Sequence, residues 1–160
     1  MKKTIVVFGL FLLLIACKNN VLYEEDNEIK GSNWNVDSII SFDFNILDTT
    51  TIFYSTLKIR HTTSYPYQNL FVFIHTTLPN EDRQTDTVEC ILADKIGKWN
   101  GKITRNIVEF SKIHKKTLSF KVKGKCIIKT EQAMRYGNLT SIKNIPEILS
   151  LGICIKAKEN

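Results

Sequence analysis

Hydrophobic and polar residues alternate with a period of two through most of the chain. Ile40, Phe42, Phe44 and Ile46 share one side of such a segment, with polar residues between them. Because successive side chains of a strand point to opposite faces, this pattern is typical of half-buried β-strands. Comparable segments follow, separated by turn-forming residues, at positions 53–59, 70–74, 88–92, 103–110, 118–122, 126–129 and 149–155.

Helical periodicity is nearly absent. Only residues 131–136 (EQAMRY) are predicted to form a helical turn, as a connection between strands. About eight short strands at spacings of roughly 8 to 15 residues are typical of two packed antiparallel sheets. The sequence therefore predicts an all-β fold, a single antiparallel β-sandwich with jelly-roll or Greek-key topology.

The first sixteen residues have the three parts of a secretory signal: Lys2 and Lys3, an apolar run at 5–15, and Ala16. As a helix the apolar run would cover about 16 Å, against about 30 Å for a bilayer core. Cys17 follows Leu14-Ile15-Ala16, and this ending resembles the lipobox of bacterial lipoproteins, whose cysteine receives diacylglycerol and further acyl chains. An ordinary secretory signal with an incidental cysteine is the alternative.

Three regions follow from this pattern. Residues 1–16 are predicted to be a lipoprotein signal peptide, residues 17–30 a lipidated amino terminus with a polar tether, and residues 31–160 the β-sandwich domain. Several acyl chains on Cys17 would suffice for stable anchoring in a membrane.

Charge is unevenly distributed along the chain. Residues 95–129 hold 11 basic side chains and a single acidic one, Glu109, within a chain of net charge +6. One interpretation is that lysines cover the solvent side of strands and protect sheet edges. The other is an electrostatic contact with an acidic protein, with lipid phosphates or with lipopolysaccharide. Nucleic acid is not an expected partner of an exported, anchored chain.

Catalytic and metal-binding patterns are missing from the sequence. The three histidines are 14 and 39 residues apart, which matches no metal motif. Asp86 and Asp94 bracket one predicted strand, but eight strand residues span about 26 Å, too far for a glycosidase pair at about 5 to 9.5 Å. We expect both to bind turn amides. Neither an enzymatic activity nor a cofactor nor a metal is predicted.

Three cysteines remain besides Cys17, and each lies in an apolar segment: Cys90, Cys126 and Cys154. Buried cysteine behaves as a small hydrophobe, so three core thiols are favoured. One disulfide is the alternative.

Aromatic residues lie in or beside predicted turns; they are Trp34, Tyr54, Tyr65, Tyr67 and Trp99. Exposed rings at the ends of a sandwich can stack on sugar or protein. Alternatively, they close the ends of the core and keep their polar tips in water.

Residues 65–74 (YPYQNLFVFI) resemble the gliding motility lipoprotein H family, GldH, of Bacteroidota. Further matching blocks follow the family order, at 59–60, 86–89, 92–94, 97–99, 101–102 and 131–135. Asn100 and residues 103–106 depart from the pattern. The resemblance implies a cell-envelope lipoprotein needed for gliding and linked to type IX secretion, with no enzymatic activity assigned.

These expectations combine into a lipid-anchored, non-enzymatic component of the gliding and secretion apparatus. It would reach the membrane through Cys17 and contact other proteins of the machinery. Lys18 is not the aspartate of inner-membrane retention, which favours the outer membrane, facing the periplasm. The predicted contact residues are Tyr65, Pro66, Tyr67, Asn69, Asp94, Lys95, Lys98, Trp99 and Lys102. The alternative is a glycan-binding module that uses Trp34, Tyr67 or Trp99.

Overall fold

The computed structural model describes residues 20–138 and 140–159, so the predicted signal segment and Cys17 lie outside the described residues. The strands in chain order are β1 (Val21–Glu28), β2 (Asn33–Asn35), β3 (Ile40–Ile46), β4 (Phe53–Thr62), β5 (Asn69–Thr77), β6 (Arg83–Ile91), β7 (Lys102–Thr104), β8 (Ile107–Leu118), β9 (Gly124–Gln132), β10 (Asn144–Pro146) and β11 (Ile148–Ala157). A 3-10 turn, Lys30–Ser32, precedes β2.

Two antiparallel sheets form the body of the molecule. One has the strand order β1-β11-β4-β8-β7 and the other β3-β9-β5-β6, while β2 and β10 form a separate two-stranded ribbon. The connections from β3 to β4 and from β8 to β9 cross from one sheet to the other. The predicted all-β antiparallel sandwich is confirmed.

Alternating side chains of both sheets build the core between them. On β4 every second residue is buried from Phe53 to His61, and on β5 Leu70, Val72 and Ile74 are fully buried. Each such aliphatic side chain contributes about 1.5 to 3 kcal/mol by leaving water. Strand β5 is an inner strand of the four-stranded sheet, between β9 and β6.

The predicted tether is partly wrong, because Val21–Glu28 forms strand β1 at the edge of the five-stranded sheet. Acidic residues on the outer face of this strand form salt bridges with β4: Lys58 Nζ lies 3.1 Å from Glu24 and 2.6 Å from Asp26. Tyr23 points inward and stacks on Phe44 of the other sheet, with ring centroids 4.8 Å apart. The folded domain therefore begins ten residues earlier than predicted.

Two further predictions need correction. Residues 118–122 do not form a strand: β8 ends at Leu118 and a loop follows at 119–123, where the buried ring of Phe120 closes the core. Residues 131–136 form no helical turn, since β9 continues to Gln132. The Gln132 side chain donates to the carbonyl oxygen of Ile142 at 2.6 Å and accepts from the Met134 amide at 3.0 Å.

The sandwich has two ends with different loops. At the near end, where β1 begins, Val21 pairs with Lys156, Phe53 with Leu118 and Ile46 with Gly124. This near end carries the loops 47–52, 78–82 and 119–123 and the carboxyl terminus. The opposite far end carries the loops 63–68, 92–101 and 133–143 and the β2-β10 ribbon.

Candidate functional site

The loop at 63–68 is fixed by a buried tyrosine. Tyr65 is only 4% exposed, and its hydroxyl donates a hydrogen bond to the carbonyl oxygen of Asn69 at 2.9 Å. Burial raises the pKa of Tyr65 above its usual value. The ring therefore closes the far end of the core, while Pro66 is exposed and Tyr67 half-buried beside it. The sequence allowed two roles for these rings, stacking on a partner or closing the end of the core. The structure shows that Tyr65 closes the core.

The loop at 92–101 is organised by Asp94. Its carboxylate accepts hydrogen bonds from the amides of Ile96 and Lys98, both at 2.9 Å, and its amide donates to the Lys98 carbonyl at 2.9 Å. Gly97 has φ +83°, a conformation that favours glycine. The turn holds Ile96 at its tip, where the side chain is 88% exposed.

These two loops form one surface. The carbonyl oxygen of Gln68 accepts hydrogen bonds from the amides of Leu92 at 2.8 Å and Ala93 at 2.9 Å. An open groove of about 660 Å³ runs between the loops. We define the far-end surface by seven exposed or half-buried residues of these loops and of the adjoining start of β5: Pro66, Tyr67, Asn69, Asp94, Lys95, Ile96 and Lys98.

Trp99 supports this surface from below. Its ring contacts His61, with centroids 4.8 Å apart, and lies 6.4 Å from the ring of Tyr65. His61 is fully buried, and burial lowers its pKa although its ring nitrogen bonds the Thr62 carbonyl at 2.8 Å. A fully buried imidazole therefore packs beneath the two loops.

Lys102 lies outside the far-end surface. It belongs to the short edge strand β7, pairs with Glu109, and faces a separate groove of about 630 Å³ on the outer face of the five-stranded sheet. Arg60 and Glu109 approach to 3.7 Å in the same groove. The structure thus brings together eight of the nine predicted contact residues and separates this one from them.

Trp34 cannot serve as an exposed sugar platform, which corrects part of the glycan hypothesis. It is 1% exposed, and its indole nitrogen donates to the Ser38 carbonyl at 3.0 Å. Trp99 is half-buried against His61. Of the three proposed rings, only Tyr67 lines the groove at the far end.

Sequence reasoning missed an apolar hollow on the outer face of the four-stranded sheet. Phe71 and Phe73 of β5 line it together with Ala133 and Arg135, around about 370 Å³. The hollow adjoins the far-end groove. Asn69 and Ile91, which line that groove, form a pair between β5 and β6 just before Phe71. The outer-face residues of β5 that line this hollow, Phe71 and Phe73, are half-buried.

A partly buried polar network joins β6 of one sheet to β4 and β8 of the other. His114 of β8 lies 3.4 Å from Ser55 Oγ and 3.2 Å from Asp86, and Lys115 reaches Asp86 at 2.8 Å. Burial raises the pKa of Asp86, but Lys115 and His114 outweigh it and leave that pKa below its usual value. Asp86 was expected to bind turn amides. It instead binds side chains of the opposite sheet.

Serine, histidine and aspartate occur in this network, but the serine does not face a groove. Ser55 is 3% exposed and belongs to the inward face of β4. Within residues 20–138 and 140–159, no group of three or more histidine, cysteine, aspartate or glutamate side chains is arranged to hold a metal ion. The network links β6 to β8 across the core.

Cys90, Cys126 and Cys154 are free and buried, in agreement with the favoured interpretation of core thiols. Burial raises the pKa of Cys90 to about 12 and that of Cys126 to about 11. In the described part of the chain, no helix is both long and apolar enough to cross a bilayer.

Comparison with known proteins gives one consistent family. The GldH lipoprotein family model matches residues 21–153. The gliding motility lipoprotein GldH of Flavobacterium johnsoniae is 30% identical over 149 residues, which cover 92% of each chain. A GldH homolog of Christiangramia forsetii is 27% identical and covers 93% of this chain and 91% of its own.

Solved structures give only distant matches. The VP2 subviral particle of infectious bursal disease virus is 11% identical with a TM-score of 0.37, and the alignment covers 83% of this chain and 29% of VP2. The mitogen of Yersinia pseudotuberculosis is 4% identical with a TM-score of 0.32, over 86% of this chain and 88% of its own.

Proposed function

The chain belongs to the GldH lipoprotein family, and from this premise we propose that it is a non-enzymatic part of the gliding motility and type IX secretion apparatus, acting through protein contacts at the membrane. Acylation of Cys17 would hold it in the outer membrane, facing the periplasm. The lipobox-type ending at 14–17 and Lys18 support this placement. No role for a cofactor is proposed.

The far-end surface is the proposed protein contact. The single observation that carries this assignment is Ile96, an isoleucine held 88% exposed by a turn whose amides are fixed by Asp94. Removing a large apolar side chain from water stabilises a complex, and a loop that is already ordered loses little entropy on binding. Lys95 and Lys98 flank it and favour an acidic partner surface.

A charge and apolar variant tests the assignment. Ile96→Asp combined with Lys95→Glu and Lys98→Glu is expected to abolish co-purification of apparatus proteins with the anchored chain and to stop colony spreading. Because all three side chains are exposed on a loop, the fold should survive, which circular dichroism and thermal unfolding will check.

A control for the isoleucine-to-aspartate change is Ile113→Asp, which places an aspartate at a 52% exposed isoleucine on the outer face of β8. It should leave co-purification and spreading unchanged. Normal co-purification and spreading with the folded triple variant would place the contact elsewhere.

A further inference from the structure

The distance between the proposed anchor and the fold is very short. Only Lys18, Asn19 and Asn20 separate Cys17 from the first residue of β1. An extended chain covers at most about 3.6 Å per residue, so the α-carbons of Cys17 and Val21 are no more than about 14 Å apart. Asn20 is itself attached to the fold, since its carbonyl accepts from the Ala157 amide at 2.7 Å. This inference rests on the acylation of Cys17 proposed above.

The near end therefore lies at the membrane surface, and its loops expose apolar side chains. Leu47 is 74% exposed, Ile52 47% and Val122 44%. They are close to one another in the fold: Leu47 follows Ile46, whose partner Gly124 begins β9 just after the Val122 loop. Ile52 accepts a backbone hydrogen bond from Lys158 at 2.8 Å. Apolar side chains at this depth can enter the boundary between headgroups and acyl chains.

Basic side chains surround these apolar residues. Lys116, Lys121 and Lys123 lie at the end of β8 and in the following loop, all exposed, and no acidic residue occurs between positions 110 and 130. Lys158 adds a further charge next to Ile52. Lysines close to an anionic bilayer surface are each stabilised by about 1 kcal/mol, equivalent to about five-fold in an equilibrium constant.

The near-end loops and the carboxyl-terminal segment carry four acidic side chains, and three of these accept hydrogen bonds from nearby residues. Asp48 accepts hydrogen bonds from the amide and hydroxyl of Thr50, both at 2.7 Å, within its own loop. Asp82 shares a hollow of about 200 Å³ with Lys121, and Glu81 lies in the same turn. Glu159 accepts a hydrogen bond from the side-chain amide of Asn20 at 3.3 Å. The loop at 119–123 is therefore the most positive part of this end.

We propose that the near end is a membrane-docking surface, in which Leu47, Ile52 and Val122 enter the headgroup region and Lys121, Lys123 and Lys158 bind anionic phosphates of the bilayer that holds Cys17. The sandwich then stands end-on, because β4 and its neighbours run from the near end to the far end. With ten residues in β4, at about 3.4 Å each, the far-end surface lies about 30 Å from the bilayer surface.

Fluorescence quenching in vesicles tests the orientation. The mature lipoprotein, purified with its acyl chains and carrying a label at Val122→Cys or Ile96→Cys, is placed in vesicles of phosphatidylethanolamine and phosphatidylglycerol with a quencher on the headgroup. The three native thiols are buried and should not compete for the label. Loss of fluorescence is expected at position 122 and not at position 96.

Charge variants test the phosphate contact. Lys121→Gln with Lys123→Gln is expected to lower the ratio of docked to undocked molecules about five-fold per lysine, and vesicles lacking phosphatidylglycerol should act similarly. The matched control, Lys95→Gln with Lys98→Gln at the far end, should leave quenching unchanged.

Two failures can be told apart by the intact mass of the same preparation. An acylated chain whose label is quenched equally at positions 96 and 122, or more at 96, overturns the end-on orientation alone. A mass that shows an unmodified Cys17 overturns the proposed anchor, and the docking surface with it.

Discussion

Two histidines, His61 in the core and the half-buried His114, are expected to make the stability of the fold depend on pH. His61 is surrounded by Tyr65 and Trp99, and His114 lies between Ser55 and Asp86 with Lys115 adjacent. Burial lowers the pKa of both rings, although the Asp86 carboxylate opposes this at His114. The unfolded chain, with histidine pKa about 6.5, therefore binds these protons more readily than the folded one.

Stability should consequently fall as pH decreases through about 6.5 towards the folded-state pKa values. His61→Phe keeps an aromatic ring against Trp99, removes one titrating group, and eliminates a buried ring nitrogen that has no hydrogen-bond partner. It loses the bond to Thr62, so at pH 7.5 we expect a change of no more than about 1 kcal/mol. Urea unfolding at pH 7.5 and pH 5.0 should show a smaller loss of stability in this variant than in the unaltered protein. An identical loss would mean that His61 does not contribute.

At the scale of single elements, the pairing of β1 with β11 requires a glycine in β11. Gly152 of β11 pairs with Asp26, and a Cβ there would overlap the Asp26 carboxylate and come within 3.0 Å of the Glu25 carbonyl oxygen. The missing side chain leaves room for the Asp26 carboxylate to reach Lys58 at 2.6 Å. Glycine here permits both the backbone pairing and the ion pair that hold the edge strand.

Gly152→Val should therefore displace β1 and destabilise the fold by about 1 to 3 kcal/mol. Limited proteolysis with an enzyme that cuts after glutamate should become faster at Glu24, Glu25 and Glu28. The control is Thr117→Val, because Thr117 is exposed on β8, a strand that does not pair with β1. Equal cleavage rates in both variants would contradict this account of β1.

Alternation predicted the strands that bury one face and failed where a strand lies at an edge. Phe42, Phe44 and Ile46 marked β3 correctly because one face of that strand is core and the other is water. β1 has charged residues on its outer face and few apolar ones, so its sequence resembles a polar tether. Its acidic residues are paired with Lys58 of β4, which the sequence pattern does not reveal. Phe120 was assigned to a strand because a buried loop residue has the same hydrophobicity as a strand residue.

The arrangement of the proposed contact residues was predictable only in part, for a similar reason. Turn-forming sequence located the two loops, but which side chains point outward depends on their hydrogen bonds. Tyr65 is buried by its bond to Asn69, while Ile96, which sequence reasoning passed over as an apolar residue, is exposed by the turn around Asp94. Lys102 was separated from its sequence neighbours by the start of β7.

For the molecule as a whole, the thiols report both the fold and the anchor. Cys90, Cys126 and Cys154 are buried, and the proposed acylation would convert the thiol of Cys17 into a thioether. The purified native lipoprotein should therefore show no reactive thiol towards Ellman's reagent at pH 8. In denaturant it should show three, as the three free cysteines become accessible. A fourth thiol in denaturant would mean that Cys17 carries no lipid.

The position of β1 also has a mechanical consequence. This strand joins the proposed anchor to the sandwich, and it is paired to β11 along its length, from Val21 with Lys156 to Glu28 with Ser150. A pull between the bilayer and a partner held at the far-end surface would run along the strand axis. Because the hydrogen bonds between antiparallel strands lie perpendicular to that axis, they would be loaded together in shear and would not open one after another. The edge strand is thus placed to transmit tension between the bilayer and a partner without peeling from the sheet.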